Sequence, residues 1–153
     1  MTAEITTLPN GLRVVTETMP ALGSVALGVW IEAGTRHEEA AENGVAHFLE
    51  HMAFKGTGRR SAQDIAEEIE DVGGYLNAYT SREHTAYYAR VLPGDVGLAF
   101  DILADILRDP RFEPGEMETE RGVILQEIGQ ALDTPDDVIF DWLQETAYPD
   151  QPM

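Results

Sequence analysis

The chain has 153 residues, 43% apolar and 25% charged, which suits one globular domain with a real core and excludes collagen-like or disordered composition. Its 28 acids against 10 bases leave a formal charge of −18, a field that repels nucleic acid and anionic membrane surfaces. Cysteine is absent, so disulfides and thiolate metal sites are excluded, and any metal must be held by His, Asp or Glu.

The acidity has two readings, a surface that aids solubility or a negative cavity that gathers cationic peptides, and charge alone does not choose between them. No apolar run reaches bilayer length, so no membrane insertion is expected. Met1-Thr2-Ala3-Glu4 lacks a basic segment followed by an apolar stretch, so no signal peptide is read, and strand-like sequence follows directly. The default location is the cytoplasm, although a processed precursor would look the same.

Strands dominate the first third. Leu12–Glu17 is rich in β-branched residues and follows a Pro9-Asn10-Gly11 turn signal. After a connection over Met19–Gly23, Ser24–Ile31 reads as a longer strand buried on both faces. Gly34–Asn43 is a charged loop. A helix is expected from Gly44 to about Phe54, ending near Gly56 and Gly58. Ser61 is placed to cap a second helix, with Asp64 at its third position, Ile65, Ile69 and Val72 along one face, and Gly73-Gly74 as its stop.

Tyr75–Thr80 and Thr85–Val91 predict a hairpin around Ser81-Arg82-Glu83, with Tyr87 and Tyr88 packed in the core. Pro93 marks the next helix start. Val96, Phe100, Leu103 and Leu107 share a helical face that ends at Asp109-Pro110. Glu116–Ala131 predicts a further helix carrying Val123, Ile124, Leu125 and Ile128. Another starts near Asp136, with Ile139, Trp142 and Leu143. Tyr148–Met153 reads as a loop. This order of elements predicts an α+β fold, a mostly antiparallel sheet packed by helices, rather than a regular βαβ alternation.

The strongest chemical signal is His47-Phe48-Leu49-Glu50-His51. Residues four apart share a helix face, so His47 and His51 can converge on one ion. Glu50 then lies beside the metal but poorly placed as its main ligand, and a carboxylate there can accept a proton from water. This is the H-x-x-E-H pattern of inverzincins. The bland alternative is two helical histidines hydrogen-bonded in the core or on the surface. His37 and His84 lack a partner at ligand spacing and read as structural or solvent-facing. Two histidines leave zinc in need of a third protein ligand, with one position open for water.

These residues sit in longer segments, Leu8–Val15, Gly34–Glu38, Asn43–Thr57, Asn77–Thr85 and Glu120–Ile128, through which the chain closely resembles the pitrilysin and mitochondrial processing peptidase group of zinc proteases over nearly its whole length. It is most similar to the catalytic, beta-type processing subunits and their bacterial relatives. The resemblance implies one zinc ion per chain, with Glu127 as the third ligand beside His47 and His51. It implies Glu50 as general base and Glu120 as an assisting carboxylate. Glu127 also lies in an apolar helical stretch, where an unpaired carboxylate is costly. From composition alone, an exposed or salt-bridged helix glutamate is the simpler reading of Glu127, and a solvated glutamate is nearly as good a reading of Glu120.

The resemblance further implies a peptide or unfolded polypeptide substrate, laid along a strand like Asn77-Ala78-Tyr79 by β-augmentation. The alternative is a plain hairpin strand. Family members are normally longer, with two related halves closing on the substrate. The 153 residues are therefore expected to be a single N-terminal zinc-binding domain, cut short at its C-terminal end and lacking the second half or partner subunit. The expected activity is zinc-dependent endopeptidase, in the cytoplasm of a bacterium or in the mitochondrial matrix for a processed eukaryotic homologue. The competing readings are a non-catalytic partner subunit, an inactive zinc-binding fragment or a structural zinc module.

Overall fold

β-Branched runs and turn residues set the sheet, and the helices then cover one face of it. The computed structural model describes residues 3–149. Met1 and Thr2, where no signal peptide is read, and the last four residues of the expected terminal loop lie outside the described residues.

Strands β1 (Glu4–Thr7) and β2 (Arg13–Thr16) form an antiparallel hairpin apart from the main sheet, exposed on both faces. The main sheet has the order β3 (Val25–Ile31), β5 (Thr85–Val91), β4 (Tyr75–Thr80), all antiparallel. In its register Gly28 and Asn77 both face Tyr88, while Val29 and Ala78 face Tyr87. The central strand is thus β5, and among the described residues β4 is a free edge.

Side chains alternate across a strand, so the inner face carries Ala78, Tyr87, Ala89 and Val91. It packs against Ile65 and Ile69 of α2 (Ala62–Asp71) and against Ala99, Ile102, Leu103 and Ile106 of α3 (Val96–Arg108). Ser61 caps α2 as its sequence predicts: its side chain accepts the Asp64 N–H, and Asp64 accepts the Ser61 N–H (2.8 Å) in return. A short 3-10 turn over Pro93–Asp95 leads into α3.

Three expectations need correction. Strand β3 is not buried on both faces: Trp30, on the outer face, is 58% exposed because helices cover the inner face and no layer of the described residues covers the other, and Ile31, at the end of the strand, is 41% exposed. Helix α3 buries Leu103 of the expected stripe and packs Val96 and Leu107 against the core, but Phe100 faces outward, 64% exposed. The helix is apolar around most of its girth, so periodicity alone left two adjacent stripes available. Small Ala99, together with Asp105 anchored by arginines, brings Ala99, Ile102 and Ile106 into the core beside Leu103. Helix α4 (Pro114–Leu132) begins at Pro114 rather than Glu116, since proline suits the first helical turn. Its Leu125, Ile128 and Leu132 are exposed rather than packed. The last helix, α5 (Pro135–Ala147), also starts on a proline, packs on α4 and leaves Phe140, Trp142 and Leu143 exposed.

The charged loop 34–43 folds into two short 3-10 turns and docks on the β4–β5 hairpin. Thr35 and Arg36 donate their backbone N–H groups to the Ser81 and Arg82 carbonyls, and Arg36 pairs with Glu83 at 2.6 Å. A Cβ on Gly34 would fall 2.4 Å from the Ser81 oxygen, so only glycine permits this approach. Behind helix α1 (Val45–Ala53), a charge cluster centred on buried Asp105 locks the connection to α2. Asp105 accepts from Thr57 Oγ1 (2.8 Å), Arg59 Nε (2.8 Å) and Arg60 Nη1 (2.9 Å), and Arg60 also reaches Asp101 and Glu68.

Candidate metal centre

The HFLEH segment lies wholly on α1, so the i,i+4 pair shares a face as its spacing requires. The helix opens at Gly44, whose φ of 95° falls in the left-handed region. No Ser, Thr or Asp stands at the cap. Instead the Glu38 carboxylate reaches across from the charged loop and accepts the N–H groups of Gly44 and Ala46, both at 2.7 Å. A negative group at a helix N-terminus satisfies orphan donors and complements the helix dipole. This contact went unread in the sequence; the missing N-cap side chain was its one signal.

His47 Nε2 and His51 Nε2 lie 3.1 Å apart. Glu127 Oε2, from α4, lies 3.8 Å from the first and 3.6 Å from the second. In the plane of these three atoms, the equidistant point sits about 2.0 Å from each, the length of a zinc–nitrogen or zinc–oxygen bond. Two imidazole lone pairs turned toward each other repel unless a proton or a cation lies between them. Two imidazoles and one carboxylate suit zinc, and three protein ligands leave a fourth position for water or substrate. These residues therefore fit the ion. The same three form a metal-compatible group among the described residues.

His51 uses its other nitrogen. Nδ1 is 2.9 Å from Glu120 Oε2, and Glu120 Oε1 is in turn paired with Lys55 Nζ. Glu120 is 4% exposed and is the one buried residue of α4. Burial works against its charge, but hydrogen bonds from Lys55 and His51 outweigh that and hold its pKa below the usual carboxylate range. Glu127 is different: its side chain is 46% exposed beside exposed Leu125 and Ile128, so the burial argument made for it from sequence does not hold here.

Glu50, on the same helix, accepts a hydrogen bond from Thr80 Oγ1 at 2.5 Å. Thr80 ends β4 on the sheet's inner face, so the free-edge strand and the carboxylate meet directly. Burial, then the Glu50 charge, push the Tyr87 phenol up to about 12. Tyr88 is only partly buried, on the outer face.

Of the three strand residues singled out from sequence, Ala78 is buried on the inner face, whereas Asn77 and Tyr79 project from the outer face. The Asn77 amide donates to Tyr75 OH (2.5 Å), and its Oδ1 accepts the Ala78 N–H (2.8 Å). The Asn77 side chain therefore points away from α1. The two other histidines are structural: His37 Nδ1 accepts the Gly34 N–H (3.0 Å), and His84 Nε2 meets Tyr79 OH (3.0 Å). Sequence reasoning missed Thr80 and Lys55, whose partners lie 30 and 65 residues away along the chain.

Comparison with known proteins gives a consistent picture. Residues 13–153 match the family described as insulinase (peptidase family M16). The chain is 52% identical, over 97% of its length, to a protein of Arabidopsis thaliana named probable mitochondrial-processing peptidase subunit beta. It is 49% identical, again over 97%, to an uncharacterized zinc protease of Mycobacterium tuberculosis. These alignments cover 28% and 34% of the relatives, so the chain spans about a third of their length. Its fold is similar to the crystal structure of a protease from Helicobacter pylori, with TM-score 0.84 and 28% identity over 91% of this chain and 34% of that one.

Proposed function

The chain belongs to the insulinase family of peptidases, M16, and from that premise we propose that it forms the zinc-binding portion of an endopeptidase acting on extended, possibly basic, polypeptides. The convergence of His47 Nε2, His51 Nε2 and Glu127 Oε2 on one point at zinc-bond distance carries the reading. His47, His51 and Glu127 hold one zinc ion. Zinc, when bound, lowers the pKa of coordinated water toward neutrality and polarises the scissile carbonyl.

Glu50 takes a proton from the attacking water and delivers it to the leaving amine, with no covalent enzyme intermediate. The hydrogen bond from Thr80 orients the Glu50 carboxylate and leaves its other oxygen for the proton. Glu120 accepts the His51 Nδ1–H and so aims Nε2 at the ion. The free edge at Asn77-Ala78-Tyr79 supplies main-chain hydrogen bonds to a substrate strand. A substrate strand pairing there displaces the Asn77 carbonyl from the Ala78 N–H. The −18 charge favours basic stretches of polypeptide.

The relatives' greater length supports a second half or partner subunit that closes over the substrate, in a bacterial cytoplasm or a mitochondrial matrix. Among the described residues, no helix is long and apolar enough to cross a membrane. The test pairs metal content with hydrolysis of a quenched peptide by the complete protein, for wild type and Glu50→Gln. Expected are one zinc per chain in both, with turnover lost in the variant. A Glu50→Gln protein that keeps most of its activity sinks the assignment of the base. Wild type that holds zinc but never cleaves points instead to a non-catalytic partner. The 153 residues alone should bind zinc and cleave weakly or not at all.

A further inference from the structure

Lys55 lies just beyond α1 and has no place in the ligand set, yet its ammonium is paired with the buried carboxylate of Glu120. We infer that Lys55 is a positioning residue of the metal centre: it holds Glu120 Oε1 so that Oε2 receives the His51 Nδ1–H and the Nε2 lone pair faces the ion. This rests on the zinc reading proposed above.

Three observations carry it. The first is continuity, since Lys55 Nζ, Glu120 and His51 form an unbroken chain of polar contacts. The second is rigidity at the Lys55 end. The Lys55 N–H donates to the Met52 carbonyl (3.1 Å), and the Gly56 carbonyl accepts the Arg111 N–H (2.8 Å). Thr57 beyond them is tied to Asp105, so the ammonium is presented from a fixed backbone. The third is the poverty of other anchors on α4, where Glu120 alone is buried. A carboxylate that met only His51 would be free to turn, and the imidazole could then present either nitrogen to the ion. With both oxygens engaged, one tautomer of His51 satisfies all partners. His47 Nε2 then donates to the bare His51 Nε2 in the metal-free protein, consistent with their 3.1 Å separation.

The experiment uses this chain with wild-type, Lys55→Met and Lys55→Arg sequences. Zinc affinity is read by competition with a chromophoric chelator, and the imidazole tautomer by long-range nitrogen–proton NMR of metal-free, histidine-labelled protein. Lys55→Met should bind zinc about 10- to 100-fold more weakly, the range for losing an outer partner of a ligand. Its His51 should show mixed tautomers, and Lys55→Arg should restore both readouts toward wild type. Wild-type affinity together with a wild-type His51 spectrum in Lys55→Met overturns the inference. So does an Arg variant no better than Met, which marks a packing role only. If circular dichroism finds Lys55→Met unfolded, Lys55→Gln takes its place under the same criteria. Should wild type itself take no zinc, the zinc reading falls, and the metal-free spectra still decide the role of Lys55.

Discussion

Helices α1 and α4 both bring proposed zinc ligands to one point but are held there by different means. Helix α1 is set by the fold. Met52 and Ala53 are buried at its C-terminal end, Glu38 caps its N-terminus, and the loop beyond it is locked by Asp105. Helix α4 runs 19 residues with a single buried side chain, Glu120, and that one is polar. Its apolar residues Leu125, Ile128 and Leu132 face outward. The two histidines are therefore pre-arranged by hydrophobic packing. Glu127 arrives through the Lys55–Glu120–His51 chain and would be fixed by the metal. An ion that ties a well-packed helix to a poorly packed one should stabilise the second far more than the first.

The sharpest way to break that contrast is at α4's own proposed ligand. Glu127→Ala should abolish stoichiometric zinc binding in an equilibrium titration, while the thermal midpoint of the metal-free chain stays near wild type, because that side chain is half-exposed. A large fall in the metal-free midpoint would mean that α4 is packed after all.

Next in size is the anchor behind α1. Asp105→Ala removes the buried acceptor shared by Thr57, Arg59 and Arg60, leaves Arg60 with Asp101 and Glu68, and should cost about 1–3 kcal/mol in a denaturant titration. The same group sets an acid limit. Burial opposes the Asp105 charge, but hydrogen bonds from Arg59, Thr57 and Arg60 prevail and hold its pKa below the usual value. A carboxylate depressed in the folded state contributes stability that is fully present above its unfolded pKa, about 3.9. That contribution is lost as pH falls through the lower folded value. Stability should therefore drop below about pH 4, and Asp105→Asn should lack that component of the fall.

Smaller again is chelation of zinc from the loaded chain. Hydrogen-exchange protection should fall about tenfold or more in α4 and α5 and change little in β5 and α3, where the core sits. Equal loss in both regions would erase the distinction between them. The smallest effect is expected at the cap: Glu38→Ala should cost about 1 kcal/mol of unfolding free energy, with zinc affinity reduced less than by Lys55→Met.

Much of this was legible in the residues. The capping pair Ser61 and Asp64, the β4–β5 hairpin and the α1 span all follow local rules of spacing, cap and turn, and the structure carries each of them. Local rules failed where they offered two equal answers. Helix α3 is apolar beyond its expected stripe, so Phe100 turns outward while Ala99, Ile102 and Ile106 join Leu103 inside, and strand β3 reads as doubly buried although helices cover only one face of its sheet.

By itself the sequence determined that His47 and His51 share a face, with Glu50 beside them, because helical geometry alone decides it. Only the tertiary structure decided that Glu127 and Glu120 meet those histidines, that Lys55 pairs with Glu120, that Thr80 donates to Glu50 and that Glu38 caps the helix. All but the Glu38 cap, which spans six to eight residues, join segments far apart in the chain, with His51 and Glu120 69 residues apart. No periodicity spans such a distance. Whether two such groups meet is settled by how helices and sheet pack, and by the high cost of leaving a buried charge without a partner.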